Sequence, residues 1–228
     1  MADLLHFFGE LVPYVPITLQ VTGFSAAIGL VVALGAGMGM LAQVRLVRWC
    51  ARAYVEFFRG TSALVQLFWA YFALPLFNVQ LSPFTAAGVV LGLNVGAYGA
   101  EVVRGAVTAL PAGQTEAALT LGLTSWQKWR FVILPQAALA MLPPAGNLLV
   151  ELLKGTALVS LVAVTELTFR AHELQTATGN TAGVYTALLI IYFLLSYMIT
   201  LAVRVGERRL GRFRSTARNS DVLVRSQV

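Results

Sequence analysis

Polar side chains interrupt three apolar stretches of this sequence, and in each stretch their spacing places them on one helix face. Residues at i, i+3 or i+4, and i+7 share a face. The three sets are Arg59, Ser62 and Gln66; Asn94, Tyr98 and Glu101; and Asn147, Glu151 and Lys154. Ionisable groups inside a bilayer are costly, and they usually face a bundle interior or an aqueous pathway. Glu56 and Arg104 offer ion-pair partners for Arg59 and Glu101.

Two interpretations fit these polar sets. In the first, five of the side chains line a pathway for a small polar solute, namely Gln66, Asn94, Asn147, Glu151 and Lys154. Glu151 and Lys154 would then bind the ammonium and the carboxylate of a zwitterion. In the second, the sets form interhelical hydrogen bonds and ion pairs, and Glu151 and Lys154 neutralise each other. The number of charges favours a pathway for the sets as a whole.

The sequence lacks the residues that catalysis or cofactor binding would need. The two histidines, His6 and His172, lie outside the apolar stretches, so no span offers a haem ligand or a buried general base. The sequence has neither an H-E-x-x-H zinc motif nor a G-x-x-x-x-G-K-[ST] phosphate-binding loop. We therefore expect no enzyme activity, no catalytic residue, no metal and no bound cofactor.

The composition indicates that the chain folds in a membrane. Hydrophobic residues make up 58% of the chain and charged residues only 11%, whereas a soluble domain averages about 25% charged residues. A membrane-spanning helix needs roughly 20 apolar residues, and four long segments without charge provide room for five spans. We predict an all-α membrane protein with a single domain over residues 1–228 and spans at about 18–43, 54–77, 84–107, 131–153 and 184–205.

Lysine and arginine collect in alternate connections, and their distribution predicts the topology. Positive residues concentrate in cytoplasmic loops. They occur at 45–52, at 104–130 and along the segment after the fifth span, whereas only Lys154 and Arg170 fall on the opposite side. We expect the N-terminus outside and the C-terminus in the cytoplasm, with an arginine-rich tail at 206–228. The net charge of +6 thus indicates membrane topology and contact with lipid, and not nucleic-acid binding.

Glycine and proline predict local features of the spans. Gly35 and Gly39 in the first span, and Gly88, Gly92 and Gly96 in the third, have the spacing that allows helices to approach closely. The pair Pro143-Pro144 removes two backbone donors, so we expect a kink or a break in the fourth span. An external connection at 155–183 is expected to hold a short helix at about 159–170.

The segment from 111 to 130 predicts a projecting cytoplasmic loop. Pro111 and Gly113 interrupt the chain, and good helix formers follow, with Thr115 as a candidate cap. The first short helix should stop at Gly122, and a second capping signal begins at Thr124. Two short helices joined at a glycine form a projection that a partner protein can bind.

This loop resembles the EAA loop of permease subunits of ABC importers. The residues that carry the resemblance are Glu116-Ala117-Ala118, then Gly122, then Val132, then Leu134-Pro135, in the family's spacing. The family usually has Ile where this chain has Val132. A bare EAA triplet is uninformative, but the complete spacing, two spans before the C-terminus, is specific.

Further segments are similar to the polar amino acid permeases, the family of histidine, glutamine and arginine permeases. Ser62 stands where the family commonly has Pro, and Gly155 and Ala157 replace a usual Asp and Ser, departures that concern the ligand more than the fold. Within the family, 93–99 and 152–156 are most similar to ectoine or hydroxyectoine permease subunits. The resemblance covers about residues 15–210, and the matching positions are 56–61, 64–67, 97–98, 101, 104–105, 113–114, 142–144, 146–147, 154, 156 and 158–160.

The resemblance implies the type I importer permease fold in a bacterial inner membrane. Two permease subunits, alike or paralogous, would pair around a pathway, and an external solute-binding protein would deliver a polar amino acid or a related zwitterion such as ectoine. Two ATPase subunits would bind the ATP and receive the coupling loop through four residues, Glu116, Ala117, Ala118 and Gly122. Two alternatives stay open: the same architecture importing opines or another small charged solute, and a passive channel.

Overall fold

The computed structural model describes residues 2–225, with side chains described for 4–208. Within that range the chain is all helical and contains no strand. The α-helices are α1 (Ala2–Leu11), α2 (Val15–Met40), α3 (Arg45–Gly60), α4 (Ala63–Phe68), α5 (Pro83–Thr108), α6 (Ala112–Thr120), α7 (Ser125–Gln127), α8 (Leu134–Gly155), α9 (Leu167–Thr178) and α10 (Thr181–Arg225). Short 3-10 segments lie at Val12–Tyr14, Leu74–Phe77 and Thr156–Val162, and π-helical segments at Trp69–Ala73 and Lys128–Ile133.

Four continuous helical stretches are long and apolar enough to cross a membrane: Leu4–Met40, Pro83–Thr108, Ser125–Val162 and Thr181–Arg208. A fifth candidate is the pair Arg45–Gly60 and Ala63–Phe77, which is bent by 101° between its two helices. The described residues therefore contain four spans, or five if the bent pair counts as one. This agrees with the prediction of an all-α protein with about five spans, whereas the orientation of its termini stays a prediction.

The bend replaces the straight helix that the sequence predicts over 54–77. Thr61 and Ser62 have extended backbones between α3 and α4. The Thr61 hydroxyl donates to the Phe57 carbonyl at 2.7 Å, so a side chain satisfies part of the helix end. Serine and threonine compete with the helix for backbone hydrogen bonds, and they stand at this break beside Gly60.

Small residues bring α2 and α5 into close contact. A Cβ at Gly92 would lie 2.9 Å from the Ser25 carbonyl oxygen, and one at Gly37 would lie 2.9 Å from that of Ala100. The small residues predicted in the third span therefore pack as expected. In the first span the contact is instead made by Gly29, Ala33 and Gly37. The prediction for Gly35 is wrong, because nothing lies within 4 Å of its Cβ position.

The double proline does not break the fourth span. Pro143 and Pro144 lie inside α8, which continues from Leu134 to Gly155. Neighbouring helices stabilise a membrane span at a proline, because they satisfy the backbone groups that the proline frees. α8 packs against both α5 and α10. Gly146 allows a close approach, since a Cβ there would lie 2.5 Å from a methyl carbon of Val203.

The connection after α8 differs from the helix predicted at 159–170. The 3-10 segment ends where Ala163 adopts a left-handed backbone with φ of 60°, and α9 begins only after Glu166. The Glu166 side chain accepts from the backbone N–H groups of Thr168 and Phe169. A side-chain cap at Glu166 therefore fixes the helix start. α9 is buried against α1 and α10 through Phe7, Leu11, Leu167, Ala171, Leu174, Val184 and Leu188.

Candidate functional site

The amides of Gln66 and Asn94 meet at the bend between α3 and α4. Asn94 Nδ2 donates to Gln66 Oε1 at 3.2 Å and to the Phe58 carbonyl at 3.0 Å. Gln66 Nε2 donates to the same carbonyl at 3.0 Å and to Thr61 Oγ1 at 2.6 Å. Both amides are half-buried. They cap a backbone carbonyl that the bend removes from the helix, and they hold α4 against α5.

The charged residues of the first two polar sets also face each other. The Arg59 guanidinium lies 5.3 Å from the centre of the Tyr98 ring and 3.9 Å from Glu101 Oε1. Arg104 contacts Glu101 Oε2 at 2.8 Å, which confirms this pair. The predicted pair of Glu56 with Arg59 does not form within 4.0 Å. The sets at 59–66 and 94–101 are thus joined across the helix interface, as the second interpretation of the sequence predicts.

The third polar set has a different environment. Asn147, Glu151 and Lys154 are all exposed on α8, on the side away from Leu149 and Leu152, which pack into the core. Among the residues with described side chains, none offers these three a hydrogen bond or an ion pair. Glu151 and Lys154 do not neutralise each other within 4.0 Å. A spanning helix therefore presents one amide and two opposite charges on a free face.

The loop at 111–130, which is the predicted coupling loop, forms two short helices, as its sequence predicts. Gly122 joins them with φ of 71°, a left-handed backbone that glycine adopts without steric cost. Thr124 and Gln127 form a reciprocal capping box at the start of α7. Thr115 does not cap α6, since that helix begins at Ala112 after Pro111.

Surface exposure divides the four predicted coupling residues. Glu116, Ala117 and Gly122 are exposed, whereas Ala118 is buried. Ala118 therefore supports the loop from inside, and it is not available for direct contact in this conformation. Three large apolar side chains join the exposed surface, with exposed fractions of 60% for Leu119, 77% for Leu121 and 70% for Trp126. Their signal in the sequence is large apolar residues within a connecting loop, which the sequence analysis missed.

Glu166 is a second feature that the sequence analysis missed. Its carboxylate is fully buried and accepts hydrogen bonds from Thr18 and Tyr192, besides the two backbone N–H groups at the start of α9. Burial raises the pKa of Glu166, and the backbone hydrogen bonds offset part of that rise. The signal in the sequence that could have identified Glu166 is its position directly before the start of a helix, where a side chain can cap the backbone N–H groups. No group of three or more potential metal ligands occurs among the described residues.

The chain matches a protein-family model over most of its length. The family is described as the binding-protein-dependent transport system inner membrane component, and the match covers residues 28–212. A probable amino-acid ABC transporter permease of Sinorhizobium fredii is 41% identical, over 89% of this chain and 87% of its own. The L-cystine transport system permease TcyB of Bacillus subtilis is 37% identical (86% and 84%). The glutamine transport system permease GlnP of Escherichia coli is also 37% identical (85% and 89%).

Solved structures agree with these relatives. A crystal structure described as an amino acid ABC transporter with histidines has a TM-score of 0.81 at 33% identity, and the match covers 89% of this chain and 93% of that one. An inward-facing structure of the methionine ABC transporter MetNI has a TM-score of 0.76 at 25% identity, covering 88% and 96%. The fold described above is therefore the fold of these importer permeases.

Proposed function

The chain belongs to the family of binding-protein-dependent transport system inner membrane components, and from this premise we propose that it is the permease subunit of an ABC importer for polar amino acids or related zwitterions. The names of its relatives support the class of solute, since they include permeases for glutamine and cystine. Partner ATPase subunits would hydrolyse ATP, and an external binding protein would deliver the solute.

The exposed polar face of α8 is the observation that carries this proposal. Asn147, Glu151 and Lys154 are exposed on a helix of a membrane span. Charged groups in spans are costly when they face lipid, and they mark solute or ion pathways. We propose that a second permease subunit lies across a polar pathway from this face. Unpaired carboxylate and ammonium groups on the pathway wall match the ammonium and carboxylate of a zwitterion.

Gln66 and Asn94 would line the same pathway at its α4 and α5 side. Their amides bind backbone carbonyls in this conformation, yet both stay half-exposed, and each amide keeps hydrogen-bonding capacity for a solute. We propose that they close the pathway wall at the bend and that Glu151 and Lys154 of α8 provide its charge.

The coupling loop would transmit ATPase closure to the spans. Glu116, Ala117 and Gly122 lie on its surface beside Leu119, Leu121 and Trp126, and Ala118 anchors α6 from inside. We propose that these three exposed apolar side chains belong to the surface that contacts the ATPase. A rigid lever in an ATPase groove would move α8 through the π-helical segment that follows α7.

Uptake into proteoliposomes that contain the chain, its ATPase and its binding protein tests the proposal. The solutes are glutamine, arginine, cystine, ectoine and an opine, with and without ATP. We expect ATP-dependent accumulation of at least one zwitterion and its loss in Glu116→Lys. Glu207→Lys is the matched charge reversal, placed on α10 outside the coupling loop, and it should transport normally.

Each alternative has its own result in this assay. Accumulation of ectoine alone would support the narrower resemblance within the family, and accumulation of the opine alone would support the rival solute. Equal flux without ATP would indicate a passive channel. An indifferent Glu116→Lys variant would contradict the coupling role of the loop.

A further inference from the structure

The first half of α3 concentrates positive charge in a surface depression. Arg45, Arg48 and Arg52 follow one another at i, i+3 and i+7, so they share a helix face. Together with Leu46 and Trp49 they line a shallow pocket of about 450 Å³. None of the pathway or coupling residues belongs to this surface, which we name the α3 basic pocket.

The charge of the α3 basic pocket is not neutralised within the described part of the chain. No carboxylate of the described side chains lies within 4.0 Å of Arg45, Arg48 or Arg52. Glu56, one turn beyond Arg52, forms no ion pair with it in that range. No side-chain cap satisfies the start of α3, so free N–H groups and the positive end of the helix dipole add to the potential.

The position of the pocket places it at the membrane surface. The spanning helix α2 ends at Met40 and α3 begins at Arg45, and four connecting residues reach at most about 14 Å. Val55 is buried and a Cβ at Gly39 would lie 3.1 Å from Ala51 Cβ, so this side of α3 faces the bundle. Leu46 and Trp49 are 69% and 68% exposed on another side. Tryptophan with snorkelling arginine is typical of the interface between lipid and water.

We propose that the α3 basic pocket binds the headgroup of an anionic phospholipid. The guanidinium groups would bind the phosphate oxygens, for which their forked donors are suited. Leu46 and Trp49 would lie against the glycerol and the upper acyl chains. A zwitterionic phosphatidylcholine has the same phosphate, but its choline cation would meet three arginines, so the pocket selects for net negative charge. This proposal does not depend on the solute that the chain transports.

Tryptophan quenching by brominated lipids tests the pocket directly. Trp69, Trp126 and Trp129 are replaced by phenylalanine, so that Trp49 alone reports, and the full chain is reconstituted in mixtures of brominated phosphatidylglycerol or brominated phosphatidylcholine with unbrominated lipid. Attraction to anionic lipid gives about a fivefold preference for each basic residue near the surface. We expect at least tenfold stronger association of phosphatidylglycerol at Trp49.

Arginine variants distinguish lipid binding in this pocket from a general attraction of anionic lipid to positive charge. R45Q/R48Q/R52Q should lose most of the preference, each single glutamine variant should lose about fivefold, and R45K/R48K/R52K should retain most of it. R204Q/R208Q removes two exposed charges from α10 and should leave it unchanged. Equal quenching by both lipids in the parent, or an unchanged preference in the triple glutamine variant, would overturn the proposal. An intact lipid preference at Trp49, together with loss of ATPase co-purification when R45Q/R48Q/R52Q is made with all four tryptophans present, would instead identify a protein contact.

Discussion

At the scale of single residues, Glu166 joins three separate elements. Its Oε2 lies 3.3 Å from the Thr18 hydroxyl of α2 and 3.1 Å from the Tyr192 hydroxyl of α10. Its Oε1 accepts from Thr168 N at 2.7 Å and from Phe169 N at 3.0 Å, which caps α9. One buried carboxylate therefore fixes the connection between α8 and α10 against two spans.

Removal of this carboxylate should destabilise the chain. Glu166→Ala leaves the backbone N–H groups of Thr168 and Phe169 without their acceptor, and each unsatisfied buried group costs about 1–3 kcal/mol. We expect a clear loss of thermal stability in detergent. Glu166→Gln keeps an acceptor for the backbone donors and should stay close to the parent. Equal melting temperatures for Ala and Gln variants would show that these hydrogen bonds contribute little.

The same pair of variants gives a pH test. Because burial raises the pKa of Glu166 in the folded state, its contribution to stability is complete below the ordinary glutamate pKa and is lost as the pH rises through the folded value. The parent should therefore lose more stability than Glu166→Gln as the pH rises above the ordinary glutamate pKa of about 4. Parallel melting curves across this range would contradict the assignment.

Asn94 and Asn147 are both proposed to line the pathway, but they differ in their contacts within the chain. Asn94 binds the Phe58 carbonyl and Gln66, whereas Asn147 is exposed and unpaired among the described side chains. Asn94→Ala should lower thermal stability by the equivalent of about 1–2 kcal/mol, because it leaves a half-buried carbonyl with one donor fewer. Asn147→Ala should keep the parent stability and reduce solute uptake. Reversed effects would place the pathway at the bend and not at α8.

At the scale of elements, close packing of α2 on α5 organises the bundle. Small residues on both helices bring the two backbones together, and interfaces of this kind are held by van der Waals contact, since lipid offers no hydrophobic driving force between helices. α3 and α8 each pack on both helices of this pair, and α10 packs in turn on α8.

A matched pair of glycines tests this interface. Gly92→Ala should destabilise the chain, because its Cβ would lie 2.9 Å from the Ser25 carbonyl oxygen and 2.8 Å from Ile28 Cβ, and overpacking typically costs about 1–3 kcal/mol. Gly35→Ala meets nothing within 4 Å and should be neutral or stabilising by up to about 1 kcal/mol, since alanine is the better helix former. Thermal unfolding of both variants in one detergent measures the difference.

The elements that sequence could predict are those set by local chemistry. Charge-free length predicted the spans, Gly122 predicted the turn in the coupling loop, and Thr124 predicted the start of α7, because each signal acts within a few residues. The bend at 60–63 could not be predicted in this way. The Phe58 carbonyl beside the bend accepts a hydrogen bond from Asn94, which lies on another helix. The start of α9 depends on a glutamate held by α2 and α10, and the choice of Gly37 over Gly35 depends on where α5 lies.

At the scale of the whole molecule, the three polar sets differ in whether they find partners within the chain. Two of them meet within the chain through Gln66 with Asn94 and Arg59 with Glu101. The third remains on an open face of α8. Apolar side chains of α10, such as Phe193 and Tyr197, are exposed as well, and they suit a surface that faces lipid. The molecule thus presents one polar surface, which is proposed to face a pathway, and one apolar surface, which suits lipid.

Cysteine accessibility compares these two surfaces in the assembled importer. In a Cys50→Ser background, Asn147→Cys should react with a membrane-impermeant, water-soluble thiol reagent, because a pathway supplies the water in which a thiolate forms. Tyr197→Cys, 57% exposed on α10, should stay unreactive in lipid. Alternating access further predicts that the rate at Asn147→Cys changes when a non-hydrolysable ATP analogue closes the ATPase subunits. Equal rates at both positions would mean that α8 and α10 meet the same solvent. The polar face would then not be the wall of a transport pathway.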